Sequence, residues 1–356
     1  MSSIRRDALV VGGGVIGLTS AFRLARVGWR VTIFDPSPGA GATRAAAGML
    51  ASTAEVAPGE EENYRLQLGA LGAWRKLSHE LYEVTGEEVE LHESGTLLVA
   101  FDQSDRRLVD QFEGIAKSYG AEARRVLREH SGEMFEGVSA GIREGLLLAG
   151  DAWVDPDQVV ALLTRANEAL QVNVLRQFVL SASTQGNQVS VTTAEGEFRG
   201  DAGVLATGAQ PLPRGLAERV ANVVRPVRGM TVRVQGLDRS SQPMVRAYVR
   251  GRSFYMVSRP GGYCVLGASS DEKQELLVEV GELQRLLRDA LDIVPSLETA
   301  SLVETRQGLR PASKDLAPFF EVVDERWAWS SGHYRHGVTL APLAANQALS
   351  FVLHLS

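Results

Sequence analysis

Three glycines and one aspartate, Gly12, Gly14, Gly17 and Asp35, have the types and spacing to hold a pyrophosphate and a ribose. In Gly12-x-Gly14-x-x-Gly17 the first glycine allows a tight turn, the second lets phosphate approach the backbone, and the third packs helix against strand. The phosphates would sit on a helix N-terminus, where free N–H groups favour anions. Asp35 follows Gly17 by 18 residues, near the ~20 expected of an acid that takes a ribose hydroxyl. Residues 39–50, Gly-Ala-Gly-Ala-Thr-Arg-Ala-Ala-Ala-Gly-Met-Leu, are too poor in large apolar groups to form a core element. They suit a long ligand lying against the backbone. A second small-residue turn, Ala206-Thr207-Gly208, ends the strand-like Val204-Leu205, where ligands approach open sheets.

Three further constellations could do chemistry. Arg310 lies in Gly308-Leu309-Arg310-Pro311, read as a turn after a strand-like run, and a guanidinium there can fork onto a carboxylate. A surface or interface salt bridge is the plainer reading. Tyr255 stands among alternating apolar neighbours, as a core tyrosine or as a pocket hydroxyl sharing that carboxylate. Gly332-His333-Tyr334-Arg335-His336-Gly337 brings backbone N–H groups and an arginine to a helix start. That suits the pyrimidine edge of a flavin, where negative charge collects on reduction, although it also reads as a polar helix start. His79, His92, His130 and His354 are scattered and take no role. No metal-ligand cluster, Ser-His-Asp spacing or carboxylate pair stands out.

These groups need elements to place them. Ala8 to Val11 reads as a buried parallel strand, Leu18, Ala21, Phe22, Leu24 and Ala25 as a helix face, and Val31 to Phe34 as a second strand. Helices are expected over 60–85, from a cap at Ser104 to 119, from Asp155-Pro156 to 170, over 280–291, and from the last glycine motif to 353. Residues 172–204 read as three short strands with turns at Gln185-Gly186-Asn187 and Glu195-Gly196. Residues 230–234, 245–249, 254–257 and 263–267 form a meander typical of an antiparallel sheet. The fold class is therefore α/β plus α+β. A Rossmann-like dinucleotide-binding domain (1–85, 150–225, 305–356) interleaves with a mostly antiparallel substrate domain (86–149, 226–304).

The chain has 356 residues, 44 % of them hydrophobic, enough for a large core. A net charge of −6 with no basic run argues against nucleic acid as a partner. No apolar run reaches the ~18 residues of a membrane span. Arg5-Arg6 before an apolar stretch looks like a secretory start, but the glycine fingerprint fills the would-be hydrophobic region, so a strand is expected there. The one cysteine, Cys264, excludes an intrachain disulfide and a cysteine metal site, and reads as a small core residue. A cytoplasmic protein is expected.

Taken together, eight segments resemble the D-amino-acid-oxidase-like flavoproteins over almost the whole chain, most closely the branch that oxidises glycine for thiamine synthesis. They are Val11 to Gly17, Ala45 to Leu50, Leu205 to Gly208, Pro226 to Gly229, Tyr255 to Val257, Val265 to Ser269, Gly308 to Pro311 and Gly332 to Gly337. The last two, in this order near the C-terminus, are the most specific. The resemblance implies a non-covalent FAD, because the flavin-linking cysteine of covalent relatives falls near Leu309. It implies Arg310 and Tyr255 on a substrate carboxylate and Arg335 near substrate and flavin. Val15, Ile16, Asp35, Pro36, Thr43, Ala47, Gly48, Met49 and Val179 would line the cofactor. Thr207 and Gly208 join that set, with His333, Tyr334, Arg335, His336, Gly337, Val338 and Thr339 around the isoalloxazine.

Ser258, Ser270, Glu321 and His336 depart from the family's usual residues; Ser270 and His336 bear on substrate range. The implied activity is oxidation of glycine, with sarcosine and small D-amino acids as further substrates, to glyoxylate, ammonia and hydrogen peroxide. A small amine, oxygen and a homo-oligomer (tetramer or dimer) are the implied partners, with no metal. An amine or amino-acid dehydrogenase or a D-amino-acid or sarcosine oxidase of the same fold, and a non-catalytic FAD-binding subunit, remain the alternatives.

Overall fold

The computed structural model describes residues 6–55, 60–220 and 223–355, so Arg5 of the signal-like start lies outside the described residues. The fingerprint strand Asp7–Val11 lies inside a six-stranded sheet. Its order is Phe319–Asp324, Trp327–Ser331, Ala202–Leu205, Asp7–Val11, Arg30–Phe34, Asn173–Leu175. All neighbours are parallel except the first pair. Both faces are covered, which explains the unbroken apolar run. Ala8 and Val10 face the helices, while Leu9 and Val11 face a core shared with Ser181–Gln185 and Gln188–Thr193 of a three-stranded antiparallel sheet.

The helix layer comprises Val15–Arg26, Ala70–Thr85, Pro156–Ala169 and Gly337–His354. Buried Arg23 ties three of them, donating to the Pro342 carbonyl at 2.8 Å and pairing with Glu80 at 3.1 Å. Pro342 has no N–H for the Val338 carbonyl one turn earlier. The Trp74 indole donates to that carbonyl at 3.1 Å instead.

The second sheet has eight strands, ordered Ser301–Ala312, Arg225–Gln235, Tyr263–Gly267, Arg252–Arg259, Met244–Val249, Thr96–Ala100, Glu144–Leu148, Arg124–Leu127. Only Met244–Val249 and Thr96–Ala100 run parallel. On one face Met230, Val232, Val234, Phe254, Met256 and Leu266 pack with the helix Val280–Ile293. The alternate residues face the small-residue loop. Thr231 Oγ1 donates to the Ala45 carbonyl at 3.0 Å and Arg259 to the Ala47 carbonyl at 3.1 Å. A Cβ at Gly308 would lie 2.8 Å from Ala42 Cα, so sheet and loop meet backbone to backbone.

Several expectations are corrected. Arg310 is not in a turn: it lies inside the strand Ser301–Ala312, paired along its length with Arg225–Gln235. Residues 305–312, grouped from sequence with the dinucleotide half, thus belong to the large sheet. Asp102, not Ser104, caps the helix Gln103–Ser118, accepting from the Asp105 N–H at 2.9 Å. The helix expected over 60–85 is two, Glu61–Leu68 and Ala70–Thr85, separated at Gly69. Five strands, not three, lie between residues 172 and 205, because Gly196–Gly200 and Ala202–Leu205 follow one another into different sheets. Among the described residues no helix is long and apolar enough to cross a membrane.

Candidate functional site

The carboxyl ends of four parallel strands open onto one region, carrying in turn Gly12, Asp35, Thr207-Gly208 and the turn that starts at Gly332. This is where open α/β sheets take ligands. Gly12 has φ +106°, and a Cβ there would stand 2.3 Å from the Ala206 carbonyl oxygen, so the first and second small-residue turns touch. A Cβ at Gly17 would lie 1.9 Å from the Gly12 oxygen, the close helix–strand contact expected of that position. At Gly14, which caps the helix Val15–Arg26, an added Cβ would meet only Thr43 Oγ1, at 3.4 Å. That side of the loop is open to a ligand backbone approach, and the first-turn N–H groups lie beside it.

The remaining members of the set gather around this opening. The Val15 N–H donates to Thr43 Oγ1 at 3.1 Å. Asp35 accepts from the Gly13 N–H at 2.6 Å and the Ser37 N–H at 2.7 Å, which fixes its carboxylate at the strand end. Pro36 lies exposed beside it, and Ile16 is half-buried. Gly48 has φ +81° and passes so close to Val154 that a Cβ would sit 1.9 Å from its carbonyl oxygen. Ala47 is buried, and the Met49 carbonyl accepts from Thr339 Oγ1 at 3.0 Å, joining the loop to the last helix. Val179 is buried in the core on the far side of the parallel sheet, beside Phe34 and Leu205. His333 pairs with Ala312, two residues beyond Arg310, so the 332–337 turn abuts the end of the Arg310 strand. Val338 is buried. The open glycine edge, the helix N-terminus and the fixed carboxylate fit an FAD.

Arg310 and Tyr255 share the sheet face that looks toward this region, because cross-strand pairing carries the face from Arg306 through Thr231 and Gly267 to Tyr255 and Arg246. Each of the two side chains lies over a glycine. A Cβ at Gly229 would be 2.2 Å from Arg310 Cζ, and one at Gly267 would be 2.2 Å from the Tyr255 hydroxyl oxygen. Arg310 Nη1 donates to the Ser269 carbonyl at 3.2 Å and more loosely to that of Arg228 at 3.4 Å. No carboxylate among the described residues pairs with it. Burial pushes the Tyr255 phenol up to about 12, with Arg310 opposing, so it stays a hydrogen-bond donor. The pair presents a cation edge and a hydroxyl together, which is what a substrate carboxylate needs.

The guanidinium of Arg335, expected near the substrate, pairs with Glu55 and lies 3.6 Å from Glu60. Burial works against ionisation of Glu55, but Arg246 and Arg335 hold it down to about 2. Burial also lowers His333 to about 4 and His336 to about 3, so both imidazoles are neutral near pH 7. Sequence reading gave no role of their own to Gly229 and Gly267 and missed Glu55 and Arg246. A glycine inside a strand marks close approach of another group, and that signal was present at Gly229 and Gly267. Cys264 lies on the sheet face opposite Arg310, its Sγ 3.2 Å from the Leu237 carbonyl.

Comparison with known proteins agrees with this geometry. A model of the family described as FAD dependent oxidoreductase matches residues 7–349. A glycine oxidase of Geobacillus kaustophilus is 30 % identical over 348 residues, 95 % of this chain and 90 % of that protein. One of Bacillus licheniformis is 28 % identical over 361 residues, 98 % of this chain and 93 % of its own length. The crystal structure of the Geobacillus kaustophilus glycine oxidase superposes with a TM-score of 0.88 at 27 % identity, covering 98 % of this chain and 95 % of the other.

Proposed function

The chain belongs to the FAD-dependent oxidoreductase family, and on that premise we propose that it oxidises glycine, with sarcosine and small D-amino acids as further substrates. Products are glyoxylate, ammonia and hydrogen peroxide. The carrying observation is Arg310, a guanidinium without a carboxylate partner among the described residues, lying over Gly229 beside the Tyr255 hydroxyl over Gly267.

In this reading the large sheet holds the substrate and the six-stranded half holds the cofactor. Arg310 and Tyr255 bind the carboxylate and thereby fix the direction of Cα. FAD, when bound, supplies the acceptor for the hydride leaving Cα, and oxygen takes the electrons onward. The side chains gathered here offer no ready base: Tyr255 stays protonated, and burial lowers His333 to about 4 and His336 to about 3, which makes both imidazoles weak proton acceptors. The amine therefore binds already deprotonated, and the protein contributes orientation. A cytoplasmic site of action and supply of the glycine-derived imine to thiamine synthesis complete the proposal, supported by the motif resemblance.

The test is an anaerobic flavin spectrum before and after glycine, then after air. Bleaching by glycine, with recovery and peroxide in air, is expected. A yellow protein that glycine leaves unbleached overturns the substrate, and bleaching without recovery in air overturns oxygen as acceptor.

A further inference from the structure

Glu55 lies where two guanidinium groups converge. Its Oε1 is 3.3 Å from Arg246 Nη1, its Oε2 pairs with Arg335 Nε, and its backbone carbonyl accepts from Arg335 Nη2 at 3.2 Å. Arg246 stands directly across from Tyr255 on the neighbouring strand, so the two side chains leave the sheet on the same face. Glu55 is held from below as well. The Thr53 and Ala54 N–H groups before it donate to the fully buried Asp151 carboxyl at 3.0 and 3.2 Å. The cluster is therefore built into the wall beside the Arg310–Tyr255 pair. With Glu60 lying 3.6 Å from Arg335, it carries two positive charges and two negative.

We propose that Glu55 is a specificity-determining residue: by occupying Arg246 and Arg335 it makes the site reject amino acids that carry a second carboxylate. This rests on the reading of Arg310 and Tyr255 as the clamp for the first carboxylate. With Glu55 in place, a second carboxylate meets a like charge and finds both neighbouring guanidinium groups taken. Without its charge, Arg246 loses its carboxylate partner and Arg335 keeps only Glu60, at 3.6 Å, so both offer N–H groups to that second carboxylate and the same pocket favours diacids. Glycine, with no substituent beyond Cα and N, does not reach this wall and is admitted.

The experiment compares holoenzyme of the unaltered protein, Glu55→Gln and Glu55→Asp. Two readouts are used: the kcat/KM ratio of iminodiacetate to glycine by peroxide release, and the Kd ratio of malonate to acetate, neither of which can be oxidised. The unaltered protein should prefer glycine and acetate. Glu55→Gln should shift both ratios toward the diacid by about 10- to 100-fold, the range one hydrogen bond to a charged group spans. Glu55→Asp, which keeps the charge, should retain the original preference. A folded Glu55→Gln with unchanged ratios overturns the proposal. So does an unaltered protein that binds malonate as tightly as acetate, which decides the matter even if the glutamine variant fails to fold. If no amino acid bleaches the flavin while the acetate and malonate affinities behave as expected, the substrate reading falls and the role of Glu55 stands.

Discussion

Gly229→Ala separates the placement of Arg310 from the stability of the fold. Gly229 sits in a strand without a positive φ, so alanine strains no backbone dihedral there. The added Cβ would land 2.2 Å from Arg310 Cζ and from both terminal nitrogens, against an ordinary contact of 3.4 Å or more. The guanidinium must therefore retreat by about 1.2 Å. It is the end of a flexible side chain and can do so without moving the sheet. Alanine also gains roughly 0.5–1 kcal/mol over glycine in a strand, so the melting temperature should hold or rise. Substrate binding should suffer, because a fork displaced by this much loses at least one charge-assisted hydrogen bond, about 1.5–3 kcal/mol. At about 1.4 kcal/mol per decade this is a roughly 10- to 100-fold fall in kcat/KM for glycine. Thermal melts and steady-state peroxide release measure the two quantities on one preparation. A variant with unchanged kcat/KM would refute the inference that Arg310 works from above Gly229. A fall in activity matched by loss of folded protein would refute the claim that the glycine serves placement.

Three further outcomes follow from the same geometry. Arg310→Ala should lower kcat/KM by about two to three and a half decades, from the roughly 3–5 kcal/mol cost of breaking a desolvated ion pair; a loss under about tenfold would remove Arg310 from the site. Tyr255→Phe should cost about 10- to 100-fold, the worth of one hydroxyl bond to a carboxylate, mainly in KM for glycine. Burial raises the Asp151 carboxyl from 3.8 to about 7, so between those values the folded protein binds a proton that the unfolded chain does not. Its contribution is thus fully present below about pH 4 and is lost as pH rises through about 7. Melts across pH 4 to 8 should show Asp151→Asn removing that component of the decline; an unchanged slope would show that Asp151 is not its source.

The dinucleotide half was legible because its chemistry is local. Gly12, Gly14, Gly17 and Asp35 lie within one β-α-β unit, where each residue type answers to a turn, a helix start or a strand end. Alternation likewise found the strands that carry Tyr255. Arg310 was placed in a turn because glycine and proline flank it. In the structure both lie on an edge strand, where proline loses no ladder bond if its missing N–H would face outward. What could not be read is register. That Gly229 lies under Arg310 follows from pairing Val227 with Arg310, and that Gly267 lies under Tyr255 follows from their own pairing. Glu55 was hidden for the same reason: nothing near it in sequence announces Arg246 or Arg335, which arrive from 191 and 280 residues away.

The Trp74 indole on the Val338 carbonyl, and Arg23 on that of Pro342, also bear on the order in which the protein is made. During synthesis the fingerprint strand and its helix emerge well before Trp327–Ser331 and Gly337–His354, which complete the sheet and cover that helix. A nascent chain still lacking them has an unfinished sheet edge, an unpartnered indole and no 332–337 turn. N-terminal segments ordinarily fold as they leave the ribosome. Here residues 7–26 must wait for residues 327–354, so the cofactor pocket is completed only once that distant segment has been made.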